Sequence, residues 1–179
     1  MKSDIDPLEP RMWEIDQFPA HNQLSGFIDF VESEVPEKGK YVELGTFRGV
    51  SCAALAKLRP DLEIITIDRM VNPEAASRLS PFSNVTVQIC DALDFAGTIS
   101  DGEIDVVYID TDHDYSSVWE SLAKWAPKVV PGGVVAGHDY WKEFQEVIWA
   151  VTDFFQNPPT RVYADSSWAW HVPENNEAQ

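Results

Sequence analysis

The sequence has few positive charges and no long apolar run. It contains 13 Lys and Arg residues and 30 Asp and Glu residues, which gives a formal net charge of -17 at pH 7. Such a charge repels the phosphates of nucleic acids and anionic membranes, so neither is expected as a partner. No apolar stretch approaches the roughly 18 residues that a membrane-spanning helix needs, and the N-terminus lacks the basic-then-apolar order of a signal peptide. A soluble, cytoplasmic protein is predicted.

Two cysteines and several tryptophans indicate where a core would lie. Cys52 and Cys90 fall in a predicted helix and a predicted strand and not in a spaced disulfide framework. Two reduced, buried thiols are therefore expected, as in cytoplasmic proteins. Trp119, Trp125 and Trp149 recur at helical spacing and are predicted to be core residues. A chain of 179 residues is long enough for one domain with a substantial core.

What the sequence does contain is an alternation of extended and helical patterns. Residues 1–21 are rich in proline and predict an N-terminal arm, and residues 22–179 predict one domain. Extended segments alternate with helical ones, which indicates a parallel sheet covered by helices on both faces. Five such strands and a terminal antiparallel hairpin make an α/β fold with a seven-stranded, mostly parallel sheet. The predicted segments are 41–44, 63–67, 85–90, 104–109, 129–136 with a turn at 131–133, and the hairpin 160–164 and 167–172.

Acidic residues follow four successive strands of this sheet. Asp68, Asp91 and Asp110 end the second, third and fourth strands, and His138 with Asp139 ends the fifth. Ligands of open α/β sheets bind outside the carboxyl ends of the strands. A single aspartate there has an ordinary explanation, because aspartate caps helices and turns. Four in succession favour a ligand site.

The segment ELGTFRG at 43–49 joins the first strand to a helix. Gly45 and Gly49 let the backbone approach a ligand, and the helix N-terminus offers free amides. The third glycine of the dinucleotide fingerprint and the Gly-Lys-Ser/Thr of a P-loop are both missing. Glu43 would repel a pyrophosphate and suits a ligand with a positive charge, such as an ammonium group. A tight strand-to-helix connection without a ligand is the alternative.

The order Glu-x-Gly-x-x-x-Gly, with an acidic residue ending the second strand, resembles the class I S-adenosylmethionine-dependent methyltransferases, which have a Rossmann-like fold. The resemblance covers nearly the whole chain after residue 36. It implies S-adenosylmethionine as cofactor, with the glycine turn beside the methionine part. Asp68 would then hold the ribose hydroxyls, and Asp91 with Ala92 would lie beside the adenine. The implied cofactor-binding residues are Glu43, Gly45, Thr46, Phe47, Gly49, Ser51, Asp68, Asp91, Ala92 and Asp110.

The second half resembles a narrower branch of that family. YIDTDHDY at 108–115 and PKVVPGGVVAGHDY at 127–140 are similar to cation-dependent O-methyltransferases and cephalosporin-hydroxylase-like tailoring proteins. The resemblance implies methyl transfer to a hydroxyl of a small molecule, with Asp110 and His113 as catalytic residues and His113 as the base. It also implies a divalent cation, Mg or Mn, on Asp110, His138 and Asp139. His138 stands where the relatives have a carboxylate, and a histidine shifts the preference towards Mn, Fe, Zn or no metal.

The chemistry explains why these residue types would be needed. Methyl transfer to a hydroxyl requires the oxygen to lose its proton. A bound cation lowers the hydroxyl pKa, and a histidine with an ordinary pKa of about 6.5 can take the proton. Each residue also has an ordinary alternative. His113 could cap a helix, His138 could be hydrogen-bonded in a turn, and Asp112 or Asp114 is expected to be a helix N-cap.

Other functions are also consistent with the sequence. One is an S-adenosylmethionine-binding domain without catalytic activity, or a partner subunit of an enzyme. Another is an NAD-dependent dehydrogenase, which the missing third glycine and Glu43 disfavour. The acceptor pocket is expected to be open, completed by the second subunit of a homodimer, or suited to a large acceptor.

Overall fold

In the computed structural model, which describes residues 23–70 and 72–174, seven strands form one sheet. The strands are β1 Gly39–Leu44, β2 Leu62–Asp68, β3 Val85–Ile89, β4 Ile104–Ile109, β5 Val129–Gly137, β6 Arg161–Val162 and β7 Trp168–His171. Their order is β3-β2-β1-β4-β5-β7-β6. Neighbours from β3 to β5 are parallel, whereas β7 is antiparallel to both β5 and β6. The prediction of a seven-stranded, mostly parallel sheet with a C-terminal hairpin is confirmed.

Helices cover both faces of the sheet. They are α1 Leu24–Glu34, α2 Val50–Leu58, α3 Pro73–Leu79, α4 Ala92–Phe95, α5 Tyr115–Trp125 and α6 Gln145–Phe155. Alternate residues of β1 enter opposite cores: Tyr41 packs with α1 and α2, and Val42 packs with α5 and α6. This is the arrangement that a sheet buried on both sides requires. It leaves the carboxyl ends of the strands open for a ligand.

The predicted N-terminal arm, residues 1–21, lies outside the described residues. Over 23–70 and 72–174, none of the helices combines the length and the apolar character that crossing a bilayer demands.

Several local predictions were wrong. β5 runs unbroken through Pro131–Gly133, because a register shift against β4 absorbs the irregularity that was predicted as a turn. Trp119 and Trp149 are 36% and 55% exposed, and of the three tryptophans predicted to be core residues Trp125 alone is buried. Cys90 is only half-buried, because it follows β3, which lies at the edge of the sheet.

Candidate active site

The turn between β1 and α2 has a backbone that only certain residues tolerate. Gly45 has φ +96° and Gly49 has φ +68°, and Phe47 between them also has a positive φ of 43°. A Cβ added at Gly45 would lie 1.8 Å from the backbone oxygen of Asp110. The glycine therefore lets the ends of β1 and β4 meet, which brings the turn against the segment that follows β4.

The Glu43 side chain is buried behind this turn. Its side chain is 1% exposed, Ser51 Oγ donates to Oε1 at 2.6 Å, and Thr66 Oγ1 donates to Oε2 at 2.7 Å. Thr46 Oγ1 is 2.7 Å from Thr66 Oγ1, so the network continues into the turn. Burial raises the pKa of Glu43 to about 7, although the two hydroxyl donors oppose the shift. Among the described residues, Glu43 lines neither of the two cavities below, and its role at the cofactor stays a prediction.

This burial predicts a pH-dependent stability. The folded-state pKa of Glu43, about 7, lies above its ordinary value of 4.5. Its stabilising contribution is therefore complete below pH 4.5 and is lost as the pH rises through 7. We expect the free energy of unfolding of the wild type, relative to Glu43→Gln, to fall by at most about 3 kcal/mol between pH 4.5 and 8. Denaturant titrations at several pH values measure it. Glu63→Gln, which changes a 60% exposed side chain on β2, is the matched control, and an equal pH dependence of both variants would contradict the prediction.

A cavity of about 440 Å³, here the Asp68 cavity, opens at the carboxyl ends of β2, β3 and β4. Asp68 Oδ2 accepts the N–H groups of Thr46 at 3.1 Å and Phe47 at 2.9 Å, and Oδ1 accepts that of Met70 at 3.0 Å. Arg69 and Asp112 face each other in an exposed ion pair of 2.5 Å. The lining residues are Gly45, Phe47, Ile67, Asp68, Arg69, Cys90, Asp91, Ala92, Leu93, Asp110, Thr111, Asp112, Ser117, Glu120 and Ser121.

Asp91 lies on the β3 side of this cavity and also caps a helix. Its Oδ1 accepts the N–H of Leu93 at 2.8 Å, at the start of α4. The predicted residues Asp68, Asp91, Ala92 and Asp110 thus meet at one cavity. The helix α4 itself was not predicted, because four residues carry no periodicity.

A second cavity of about 430 Å³, here the His113 cavity, adjoins the first. The two share Gly45, Phe47, Asp110 and Thr111. Its remaining lining residues are Gln23, Leu24, Phe27, Thr46, Arg48, Val50, Ser51, Tyr108, His113, His138, Asp139 and Asp165. Leu24 and Phe27 of α1 contribute apolar surface to this cavity, whereas its histidines and carboxylates contribute ionisable groups. Each cavity has the size of a small-molecule site.

His113 and Asp139 form the shortest contact between ionisable side chains in this cavity. His113 Nε2 is 2.8 Å from Asp139 Oδ2 and 4.0 Å from Asp110 Oδ1. Phe144 packs edge-on against the imidazole, with ring centres 4.8 Å apart. One ligand atom from each of Asp110, His113 and Asp139 lies within 4.8 Å of the others. The resemblance implies His138 beside Asp110 and Asp139, and the group that the structure brings together contains His113.

Charges within this group shift the pKa values of its members in opposite directions. Burial alone would raise the pKa of Asp139, but hydrogen bonds from His113 and His138 hold it well below its usual range. The hydrogen bond to Asp139 raises the pKa of His113. Burial lowers the pKa of His138, but Asp139 and the charges of Asp110 and Asp165 outweigh it and raise the value to about 9. Burial raises the pKa of Asp110.

His138 and Asp114 have roles that the sequence gave as ordinary alternatives. The His138 backbone carbonyl accepts Trp168 Nε1–H at 3.2 Å, and its ring lies between Asp139 and Asp165. Asp114 is the N-cap of α5, since its Oδ1 accepts the N–H of Ser117 at 3.1 Å. Asp165 was missed altogether. It lies in the turn of the C-terminal hairpin, and no local pattern links that turn to the end of β5.

The chain is similar to one family of known proteins. A family described as "Methyltransferase domain" matches residues 42–140, which is more than half of the chain. The chain belongs to this methyltransferase family. This membership confirms the predicted methyltransferase class and leaves the dehydrogenase alternative unsupported. Comparison with curated proteins finds no match.

Solved structures of other proteins have a fold similar to that of this chain. A proposed rRNA methylase from Clostridium thermocellum is 16% identical with a TM-score of 0.65, over 86% of this chain and 98% of that one. An S-adenosylmethionine-dependent O-methyltransferase from Thermotoga maritima is 17% identical with a TM-score of 0.58, over 73% and 49%. A geranyl diphosphate C-methyltransferase from Streptomyces coelicolor A3(2), in complex with Mg²⁺, geranyl-S-thiolodiphosphate and S-adenosyl-L-homocysteine, is 11% identical with a TM-score of 0.56, over 74% and 49%. The chain therefore spans about half the length of the last two proteins.

Proposed function

We propose that the protein transfers the methyl group of S-adenosylmethionine to a hydroxyl of a small molecule, with His113 as the base. The observation that carries the proposal is the 2.8 Å contact between His113 Nε2 and Asp139 Oδ2. It lies in a cavity that shares a wall with the Asp68 cavity. A base is thus held close to the boundary between a cofactor site and an acceptor site. We place both sites in the predicted domain of residues 22–179.

The Asp68 cavity fits the adenosine part of the cofactor. Its carboxylates, Asp68 and Asp91, lie on the β2 and β3 sides, and Ala92 and Leu93 add small and apolar surface. A carboxylate can accept hydrogen bonds from two neighbouring ribose hydroxyls. When bound, S-adenosylmethionine supplies an electrophilic methyl group on a sulfonium centre. The residues of the chain orient it and hold the acceptor in line.

The second task of the chain is to remove the acceptor proton. A base must lie within hydrogen-bond reach of the hydroxyl, and His113 lines the cavity with 43% of its side chain exposed. Asp139 orients the imidazole and stabilises the imidazolium that forms, as a carboxylate partner does in other histidine bases. The hydrogen bond that raises the pKa of His113 also increases its proton affinity.

A divalent cation is the second candidate for activating the hydroxyl. Asp110, His113 and Asp139 offer two carboxylate oxygens and one imidazole nitrogen within 4.8 Å, a mixed set that suits Mn better than Mg. A cation there would supply Lewis-acid activation of the hydroxyl. It would also occupy the imidazole nitrogen, so the base role and the ligand role of His113 exclude each other.

The net charge of -17 supports a small molecule as the acceptor and disfavours RNA. The dimensions of the His113 cavity, about 430 Å³, agree with a small acceptor.

The test combines binding and turnover. We expect calorimetry to show binding of S-adenosylmethionine and S-adenosylhomocysteine, and none of NAD. Release of S-adenosylhomocysteine is then followed over a panel of hydroxyl-bearing small molecules, each paired with its amino analogue, with EDTA or with added MnCl₂. Turnover of hydroxyl compounds in EDTA supports His113 as base, and turnover only with MnCl₂ supports the cation. Turnover of the amino analogues alone would refute the proposed acceptor, and cofactor binding without turnover on any compound would favour the non-catalytic alternative.

A further inference from the structure

A buried carboxylate on the C-terminal hairpin lies behind the His113–Asp139 contact. Asp165, between β6 and β7, is 2% exposed and lines the His113 cavity. Its Oδ2 is 3.9 Å from His138 Nε2, and His138 Nδ1 is 3.3 Å from Asp139 Oδ1. The ring of His138 therefore lies between two carboxylates.

Asp139 is held from both sides by imidazoles. Its Oδ1 faces His138, whose side chain is 9% exposed, while its Oδ2 contacts His113, whose side chain is 43% exposed. Its backbone has φ +60°, in the left-handed region. That conformation costs a non-glycine residue on the order of 1 kcal/mol and persists only where surrounding contacts enforce it. His138 supplies such a contact on the buried side of the carboxylate.

Asp165 is in turn fixed within its own turn. Its two carboxylate oxygens accept the N–H of Ser167 at 3.1 Å and the Oγ–H of Ser167 at 2.7 Å. Ser167 Oγ is also 2.7 Å from the hydroxyl of Tyr108 on β4. Helix α1 packs so closely that a Cβ at Gly26 would lie 2.5 Å from the backbone nitrogen of Asp165. The carboxylate has little freedom to move away from His138.

We propose that His138 and Asp165 form a positioning pair, which holds the Asp139 carboxylate against His113. The proposal rests on the assignment of His113 as the base and extends that site to the C-terminal hairpin. Neither member of the pair touches the reacting atoms; both act through Asp139. The contacts form one line of alternating carboxylates and imidazoles from Asp165 to His113.

The test monitors the His113–Asp139 hydrogen bond by NMR. It measures the ¹⁵N chemical shifts of the imidazole nitrogens in the full chain. Four histidines occur in the sequence, so single substitutions can assign every signal. Asp139→Asn supplies the reference for a His113 without its carboxylate. Asp165→Asn and His138→Gln are the test variants. Asp105→Asn is the matched control, because Asp105 is a partly buried carboxylate at the other end of β4 that accepts the N–H of Lys40 at 2.8 Å.

We expect Asp165→Asn to move the His113 Nε2 signal most of the way to its position in Asp139→Asn, and Asp105→Asn to leave it unmoved. His138→Gln should act like Asp165→Asn. An unchanged signal in a folded Asp165→Asn or His138→Gln variant would overturn the proposal. Loss of the fold in both would overturn it too, because the pair would then serve the core and not Asp139. The measurement needs no acceptor, so it stands apart from success or failure of the turnover assays.

Discussion

Replacing His113 by glutamine is expected to lower the rate of methyl transfer by about 100- to 10,000-fold, the usual loss on removal of a general base. Glutamine keeps a donor near Asp139 but has no nitrogen that takes a proton. Binding of S-adenosylhomocysteine should stay within about threefold of the wild type, because His113 lines only the second cavity. The measurement is release of S-adenosylhomocysteine under single-turnover conditions, with calorimetry for binding.

The matched control is His171→Gln. His171 is at the far end of β7, where its Nε2 is 2.7 Å from Glu34 Oε2, and it lines neither cavity. Its variant should retain wild-type turnover. Wild-type activity of the His113→Gln variant would contradict the hypothesis that His113 is the base.

The pH dependence of the single-turnover rate distinguishes a general base from a residue with only a packing role. Because the hydrogen bond to Asp139 raises the pKa of His113 above 6.5, the neutral, active form is gained only above that value. The single-turnover rate should therefore rise with pH through a point above 6.5 and then level off. In Asp139→Asn the raising contact is lost, so the same rise should appear at lower pH. A flat profile would contradict the assignment.

Replacing Gly45 by alanine is expected to abolish detectable cofactor binding and to lower the free energy of unfolding by about 2–4 kcal/mol. The new methyl group would lie 1.8 Å from the Asp110 backbone oxygen, and alanine also disfavours φ +96°. The turn must then shift relative to β4, which disturbs the hydrogen bonds that the N–H groups of Thr46 and Phe47 donate to Asp68. Thermal unfolding and calorimetry with S-adenosylhomocysteine give the two quantities.

Gly97→Ala provides a control of the same chemistry. A Cβ at Gly97 meets nothing within 4 Å, so the substitution should leave both quantities near the wild-type values. Cofactor binding by Gly45→Ala at wild-type affinity would show that the turn is not part of the cofactor site.

The sequence was most informative where a local pattern and the chemistry of the site coincide. The glycine spacing predicted the turn at Gly45, and the acidic ends of three strands predicted Asp68, Asp91 and Asp110 at one edge of the sheet. Both follow from the geometry of parallel strands, whose carboxyl ends meet at one edge. Whether these residues hold S-adenosylmethionine in the assigned roles stays a prediction until binding is measured.

The features that were missed depend on contacts distant in sequence. The hydrogen bonds that the Glu43 side chain accepts from Ser51 and Thr66, for example, join residues 8 and 23 positions apart. The choice between His113 and His138 beside Asp110 depends on how the chain turns at Asp139, where φ is +60°. Asp165 is unpredictable for the same reason, because only antiparallel pairing of β7 with β5 brings it to the site.

The place of β7 between β5 and β6 has a consequence for synthesis of the chain. The glycine turn and the carboxyl ends of β2, β3 and β4 have all been synthesised once residue 112 has been added. Asp165, and the strand that carries its turn to β5, follow more than 50 residues later. A ribosome-bound nascent chain therefore contains the residues of the proposed cofactor site well before it can assemble the proposed hydroxyl-activating site.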